Sequence, residues 1–209
     1  GAQSDRSLAV LAEALKRENI EAADTVLLSG EVPSDADVLA IVGPTRPFTE
    51  PELAALEAFI GRGGRLLVCL DPLIEPAGTM RATRLEGLLA TRGIRVNDDL
   101  VVDPSRKLPF YDLSAVYLTD FPSHPVTQGL EGIAVLFSVA RSLTAEGAAA
   151  PVVIVETSAE GWGERNLSQL LTGQPVARDG DDTPGPAAVG VVVEEGPVDA
   201  IFHDAKHPY

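Results

Sequence analysis

The chain has 209 residues, 45% of them hydrophobic but only 5% aromatic, and a formal charge of −15 at pH 7. That is enough chain for one sizeable core, built mainly from Ala, Val, Leu and Ile. The acidic balance argues against nucleic acid and anionic lipid as partners, because such a surface repels both, and in its simplest role it keeps the protein soluble.

A single cysteine excludes an internal disulfide and any paired-cysteine metal site. The charge is uneven: residues 151–209 carry ten acids against three bases, and the first 150 carry 21 against 13. No apolar run approaches the ~18 residues of a membrane-spanning helix. Nor does a basic segment leading into an apolar one mark a signal peptide. The chain reads as an excised fragment of a longer protein, with one domain over residues 1–195 and a tail over 196–209.

"SLAVLAEALKRENI" predicts an opening helix, with Leu8, Leu11 and Leu15 on one face. "DTVLLSG" reads as a short strand or extended segment. "ADVLAIVGP" is a near-continuous apolar run ending in Gly43-Pro44, the pattern of a parallel strand buried on both faces. "TEPE" then supplies a capping box from Thr49 and Glu52, with Pro51 in the first turn. Leu53, Leu56 and Ile60 form the stripe of that helix, and Gly61, Gly63 and Gly64 close it.

"RLLVCLDP" predicts a second buried strand, and "RATRLEGLLATRG" another helix. "IRVNDDLVVD" has room for one or two short strands, whereas residues 104–131 are proline-rich and irregular. "AVLFSVARSLT", "APVVIVETS" and the end of "GDDTPGPAAVGVVVE" read as strands, and no internal repeat is visible. Helices alternating with apolar strands predict an α/β, Rossmann-like layered fold with a mainly parallel central sheet and flanking helices. In such a sheet ligands bind beyond the carboxyl ends of the strands. Those ends here fall at Gly43-Pro44, Asp71-Pro72, Asp103 and Thr157-Ser158.

Cys69 is the first candidate for chemistry. A catalytic cysteine of a hydrolase or amidotransferase sits on a glycine-flanked turn between strand and helix, beside its oxyanion donors. Cys69 instead lies between Val68 and Leu70, with no basic neighbour in sequence to activate it. It reads as a small core residue. His124, in "SHPVTQGL", is the base such a cysteine would need, and between Pro122 and Pro125 it reads as a loop residue.

"HDAKH" places His203 and His207 four apart, but Asp204 stands where a zinc protease has glutamate and Pro208 follows at once. It reads as a tail rather than a metal site. "RDGDD" (178–182) and "NDD" (97–99) lack the spacing of a calcium loop and read as solvated turns. No phosphate-binding or serine-nucleophile signature is present, so no cofactor or metal is expected. Trp162, alone between Gly161 and Gly163 past a strand end, can either line a groove or cap the core.

"SDADVLAIVGPTRPFTEPELAALEAFIGRGGRLLVCLDP" resembles the ABC-transporter auxiliary family associated with gliding motility. The likeness continues through "LLATRGIRVNDDLVVD", "HPVTQGL", "ARSL", "ETSAEGWGE" and "DDTPGP", about residues 8 to 195, and rests on the order of these blocks. "VDAIFHDAKHPY" departs from the family's usual continuation. The resemblance implies a Rossmann-like domain related in fold to class I glutamine amidotransferases but lacking their catalytic machinery. It implies placement on the outer, periplasmic face of the cytoplasmic membrane, with anchoring helices elsewhere in the parent protein. An ABC permease and ATPase are the implied partners.

The expectation is therefore a non-catalytic interaction or ligand-binding domain, with Pro44, Asp71, Asp103, Ser158 and Trp162 lining its surface. The alternatives are an amidotransferase-like hydrolase using Cys69 and His124, and a sugar- or peptide-binding module with Trp162 as stacking platform.

Overall fold

A computed structural model of the chain describes residues 2–27, 30–109, 111 and 113–194, with residues 2–7 described through their backbone alone. The segment 196–209, including His203 and His207, lies outside the described residues. In chain order the elements are α1 (Ala2–Arg17), β1 (Val38–Val42), α2 (Glu50–Gly61), β2 (Arg65–Cys69) and α3 (Leu85–Ala90). There follow β3 (Ile94–Val96), β4 (Leu100–Val102), β5 (Val116–Leu118), a 3₁₀ turn (Pro125–Thr127), β6 (Val135–Phe137) and β7 (Leu143–Ala145). The last are β8 (Val152–Glu156), β9 (Trp162–Glu164), α4 (Leu167–Leu171) and β10 (Ala188–Val192). The chain divides into two compact units, Gly1–Leu39 with Thr49–Arg65, and Ala40–Phe48 with Leu66–Tyr209.

In the first unit α2 forms as its sequence dictates. The Glu52 carboxylate accepts from the Thr49 N–H at 2.8 Å and the Thr49 hydroxyl at 2.9 Å, closing the predicted box. Its buried stripe is Ala55, Leu56 and Phe59, with Leu53 and Ile60 half-buried at its edge. Gly64 then passes under the Phe59 ring, where a Cβ would come within 2.5 Å of ring carbons. Only glycine permits that approach. Leu8 and Leu11 of α1 are exposed.

The second unit holds most of the strands. Its main sheet has the order β3-β7-β10-β8, every neighbour antiparallel. Two antiparallel pairs accompany it: β4 with β9, where Val102 faces Trp162, and β5 with β6. Val101, Val116, Leu118, Ala140 and Ala187 make the core, with Phe137, Val155 and Val189 packed against it.

The expected Rossmann-like layered fold with a mainly parallel sheet therefore does not form. Parallel neighbours need a crossover of roughly a dozen residues or more, usually a helix. Here α3 has six residues and α4 five, and most strands have three. Segments this short pair antiparallel in small sheets. Only β1 and β2, joined through α2, keep the expected pattern. The Arg65 N–H donates to the Asp37 carbonyl at 3.0 Å, and the Gly43 N–H to the Cys69 carbonyl at 2.9 Å, a parallel register.

Even this pair is not buried on both faces. β1 alternates, with Leu39 and Ile41 buried and Val38 and Val42 exposed, and β2 exposes Leu67 and Cys69. Cys69 is thus a surface residue and not the core residue the sequence predicts. "AVLFSVARSLT", expected as one strand, splits into β6 and β7 around Ser138–Ser142.

Candidate functional site

The strand ends of the second unit are joined by buried polar groups. Asp103, fully buried at the end of β4, accepts from the N–H and hydroxyl of Ser158 at 2.8 and 2.9 Å, and from the hydroxyl of Ser105 at 2.8 Å. Two of the predicted site residues, Asp103 and Ser158, are therefore brought together. The Ser105 and Ser158 hydroxyls lie 2.9 Å apart. No imidazole or amine is among these hydrogen-bond partners to take a serine proton, so the cluster acts as a clasp between two loops.

Trp162 is 6% exposed, opposite Val102 in the β4–β9 ladder, and its indole N–H donates to Glu164 at 3.2 Å. It caps the core and offers no open face for stacking. Glu164 also accepts from the Asn166 N–H at 2.8 Å at the start of α4.

Asp99 and Arg141, which the sequence reading passed over as turn and strand residues, organise a second cluster. Asp99 is fully buried and accepts from the Ser142 N–H (2.8 Å), the Ser142 hydroxyl (2.6 Å) and the Thr183 hydroxyl (2.5 Å). Arg141, 5% exposed, donates to the Asn97 carbonyl, to Glu86 and to Asp98. "NDD" is thus a solvated turn only at Asp98. In "RDGDD" Asp179 and Asp181 are exposed, and Asp182 accepts from the N–H groups of Asp179 and Arg165. Among the described residues no group of three or more His, Cys, Asp or Glu is placed to hold a metal.

Burial by itself pushes the Glu86 carboxyl up, but hydrogen bonds from its own N–H, from the N–H and hydroxyl of Thr83 and from Arg141 outweigh it. The net effect holds Glu86 below its ordinary value of 4.5. A carboxyl lowered in the folded state stabilises the fold above its unfolded value, and that stability is lost as pH falls through the folded value. Chemical denaturation across the acid range is expected to show unfolding free energy declining below the ordinary carboxylate range. Glu86→Gln is expected to flatten that decline while lowering stability near neutral pH.

The pair proposed for catalysis is not assembled as one. Burial, and then the charge of Asp71, push the Cys69 thiol above its ordinary 9.0. His124 uses Nδ1 to accept from the Val126 N–H at 3.1 Å, and its Nε2 lies 3.6 Å from Glu194. Iodoacetamide is expected to label Cys69 more slowly than a free thiol at neutral pH, with the rate rising as pH rises into the alkaline range. Asp71→Asn is expected to speed it by removing the lesser of the two causes. Rapid labelling at neutral pH would revive the hydrolase reading.

Open clefts on this unit include two formed by described residues. One, of about 690 Å³, runs past Phe121, His124, Gln128 and Glu131. The other, of about 870 Å³, has Asp71, Pro72, Leu100, Tyr111, Val139 and Leu171 in its lining. Asp71 is exposed and its carboxylate rests against Gly43, where a Cβ would come within 2.8 Å of Oδ2. Pro44, half-buried, follows Gly43 directly. The five predicted residues thus separate: Asp103, Ser158 and Trp162 in or beside the polar clasp, Asp71 in the lining of the larger of these two clefts, and Pro44 next to the glycine that Asp71 approaches.

The fold and site define a mixed α and β domain whose strand ends are locked by buried carboxylates and whose open surface is a groove. A family model described as "ABC-type uncharacterized transport system" matches residues 4–208, and the chain belongs to that ABC-transporter auxiliary family. It is an auxiliary component of an ABC-type transport system by that membership, which is consistent with transporter partners. No curated protein matches it. A solved structure titled "mmIFT52 N-terminal domain" is similar in fold, with a TM-score of 0.53 at 20% identity, covering 73% of this chain and 70% of that one. Among the described residues no helix is long and apolar enough to cross a membrane.

Proposed function

We propose that this chain is a non-catalytic, extracytoplasmic interaction domain of an ABC-transporter auxiliary protein of the gliding-motility type. Segments outside this sequence hold it at the membrane, and it meets the transporter through the permease, with the ATPase in the same complex. Family membership supports the transporter context. The observation that carries the non-catalytic part is the use made of the buried carboxylates. Asp99, Asp103 and Glu164 accept from backbone and side-chain donors of neighbouring loops, and Arg141 is committed to three acceptors. Groups so engaged position loops rather than react.

Cys69 supplies the test, because it is exposed and is the one cysteine of this sequence. A membrane-impermeant maleimide is applied at mildly alkaline pH to intact spheroplasts carrying the full-length protein with any other cysteine replaced. Labelling before lysis is the expected result. Labelling only after lysis would place the domain on the inner face and overturn the extracytoplasmic reading.

A further inference from the structure

We propose that the groove lined by Asp71 and Leu100 receives an apolar peptide segment of a partner protein, with a basic side chain of that segment paired to the Asp71 carboxylate. The inference rests on the interaction-domain reading and names the class of segment recognised. Leu100, 3% exposed, lies at the base of the groove. Tyr111, Leu171 and Val139, which also line it, are 65%, 57% and 43% exposed. Single exposed apolar residues are ordinary on any surface, but several converging on one concavity mark a contact site.

The polar lining gives the chemistry of the occupant. Ser114, Ser138 and Gln174 are neutral hydrogen-bonding groups of the kind that meet peptide amides. Among the described residues Asp71 is the one charged residue in the lining, and no cation pairs with it. The carboxylate lies close to Gly43, where an added Cβ would come within 2.8 Å of Oδ2. A carboxylate set among apolar side chains and neutral polar groups complements an ammonium or guanidinium carried on apolar residues. The net charge of −15 adds long-range attraction for a basic segment. Among the described residues no basic side chain lines the groove, so a phosphate or an anionic headgroup meets no counter-charge from them.

The test uses three soluble nine-residue amidated peptides that share two leucines and a valine but end in arginine, glutamine or glutamate. Binding is followed by anisotropy of a neutral dye at low salt. The arginine peptide is expected to bind about tenfold tighter than the glutamine peptide, with the glutamate peptide weakest. Asp71→Asn is expected to abolish the arginine preference, and Leu171→Ser to weaken all three. Equal affinity for arginine and glutamine, a preference that survives Asp71→Asn, or no binding at millimolar peptide would overturn the proposal. So would Leu171-dependent binding to anionic vesicles in place of the peptides. If transporter subunits co-purify with the intact protein while no peptide binds, the groove assignment alone fails. Peptide binding without transporter subunits sinks the functional reading and leaves the groove.

Discussion

Replacing Arg141 by leucine is expected to lower the unfolding free energy by about 3–5 kcal/mol, the range for breaking a buried ion pair from one side. The guanidinium is 5% exposed and serves three acceptors: the Asn97 carbonyl at 2.9 Å, Glu86 at 3.2 Å and Asp98 at 2.6 Å. Its loss takes this donor from the Asn97 carbonyl and the cationic partner from the largely enclosed Glu86, which keeps the Thr83 N–H and hydroxyl. Asp98, whose side chain is 73% exposed, is reclaimed by water and contributes least. Lysine keeps the charge but cannot reach three acceptors in a fixed plane, so Arg141→Lys is expected to fall between wild type and leucine. Urea titrations of the three proteins measure this as a shift in midpoint at constant slope. A cost below about 1 kcal/mol for leucine would mean that the cluster is not structural.

Asp99→Ala is expected to cost about 3 kcal/mol, since it leaves the buried Ser142 N–H and two hydroxyls without their acceptor. Asp99 connects three distant stretches, the entry to β4, the residue before β7 and Thr183 ahead of β10. Gly163 belongs to the same arrangement. A Cβ there would come within 2.1 Å of Asp99 Oδ2, so Gly163→Ala alone must displace the carboxylate. In the Asp99→Ala background that obstacle is gone. The glycine substitution is therefore expected to cost less in the double variant than alone, although the Thr183 side chain, 3.0 Å from the same Cβ, keeps relief incomplete. Additive costs in the double-mutant cycle would contradict the proposed contact.

What the sequence made legible is the local structure. The capping box of α2 and the apolar runs of β1, β2, β8 and β10 specify themselves within ten residues or so of chain. The sheet arrangement was not legible, because β3 pairs with β7 and β10 with β8, and neither the periodicity nor the turns of a strand name its distant neighbour. The burial of β1 and β2 was misread for a related reason. Val38, Ala40 and Val42 are apolar like Leu39 and Ile41, so composition cannot distinguish a strand covered on both faces from one covered on a single face. That ambiguity also hid the exposure of Cys69.

The partners of the polar groups were not legible either. Asp99 looks in sequence like an ordinary turn residue and Asp103 like a strand end, and only the folded chain brings Ser142, Thr183 and Ser158 to them. Trp162 between two glycines left groove and core cap equally open; the folded chain buries it, and the glycine beyond it is what lets the strand lie against Asp99. Of the strand-end positions, Asp71 and Pro72 line an open groove.

The account turns on association with a transporter, and purification of the tagged full-length protein from its native membranes tests that most directly. Quantitative mass spectrometry of the co-purifying proteins is expected to find an ABC permease and its ATPase enriched together, in equal yield for wild type and for Cys69→Ala. Recovery of the protein without either subunit, or loss of the subunits when only the Cys69 sulfur is removed, would contradict it.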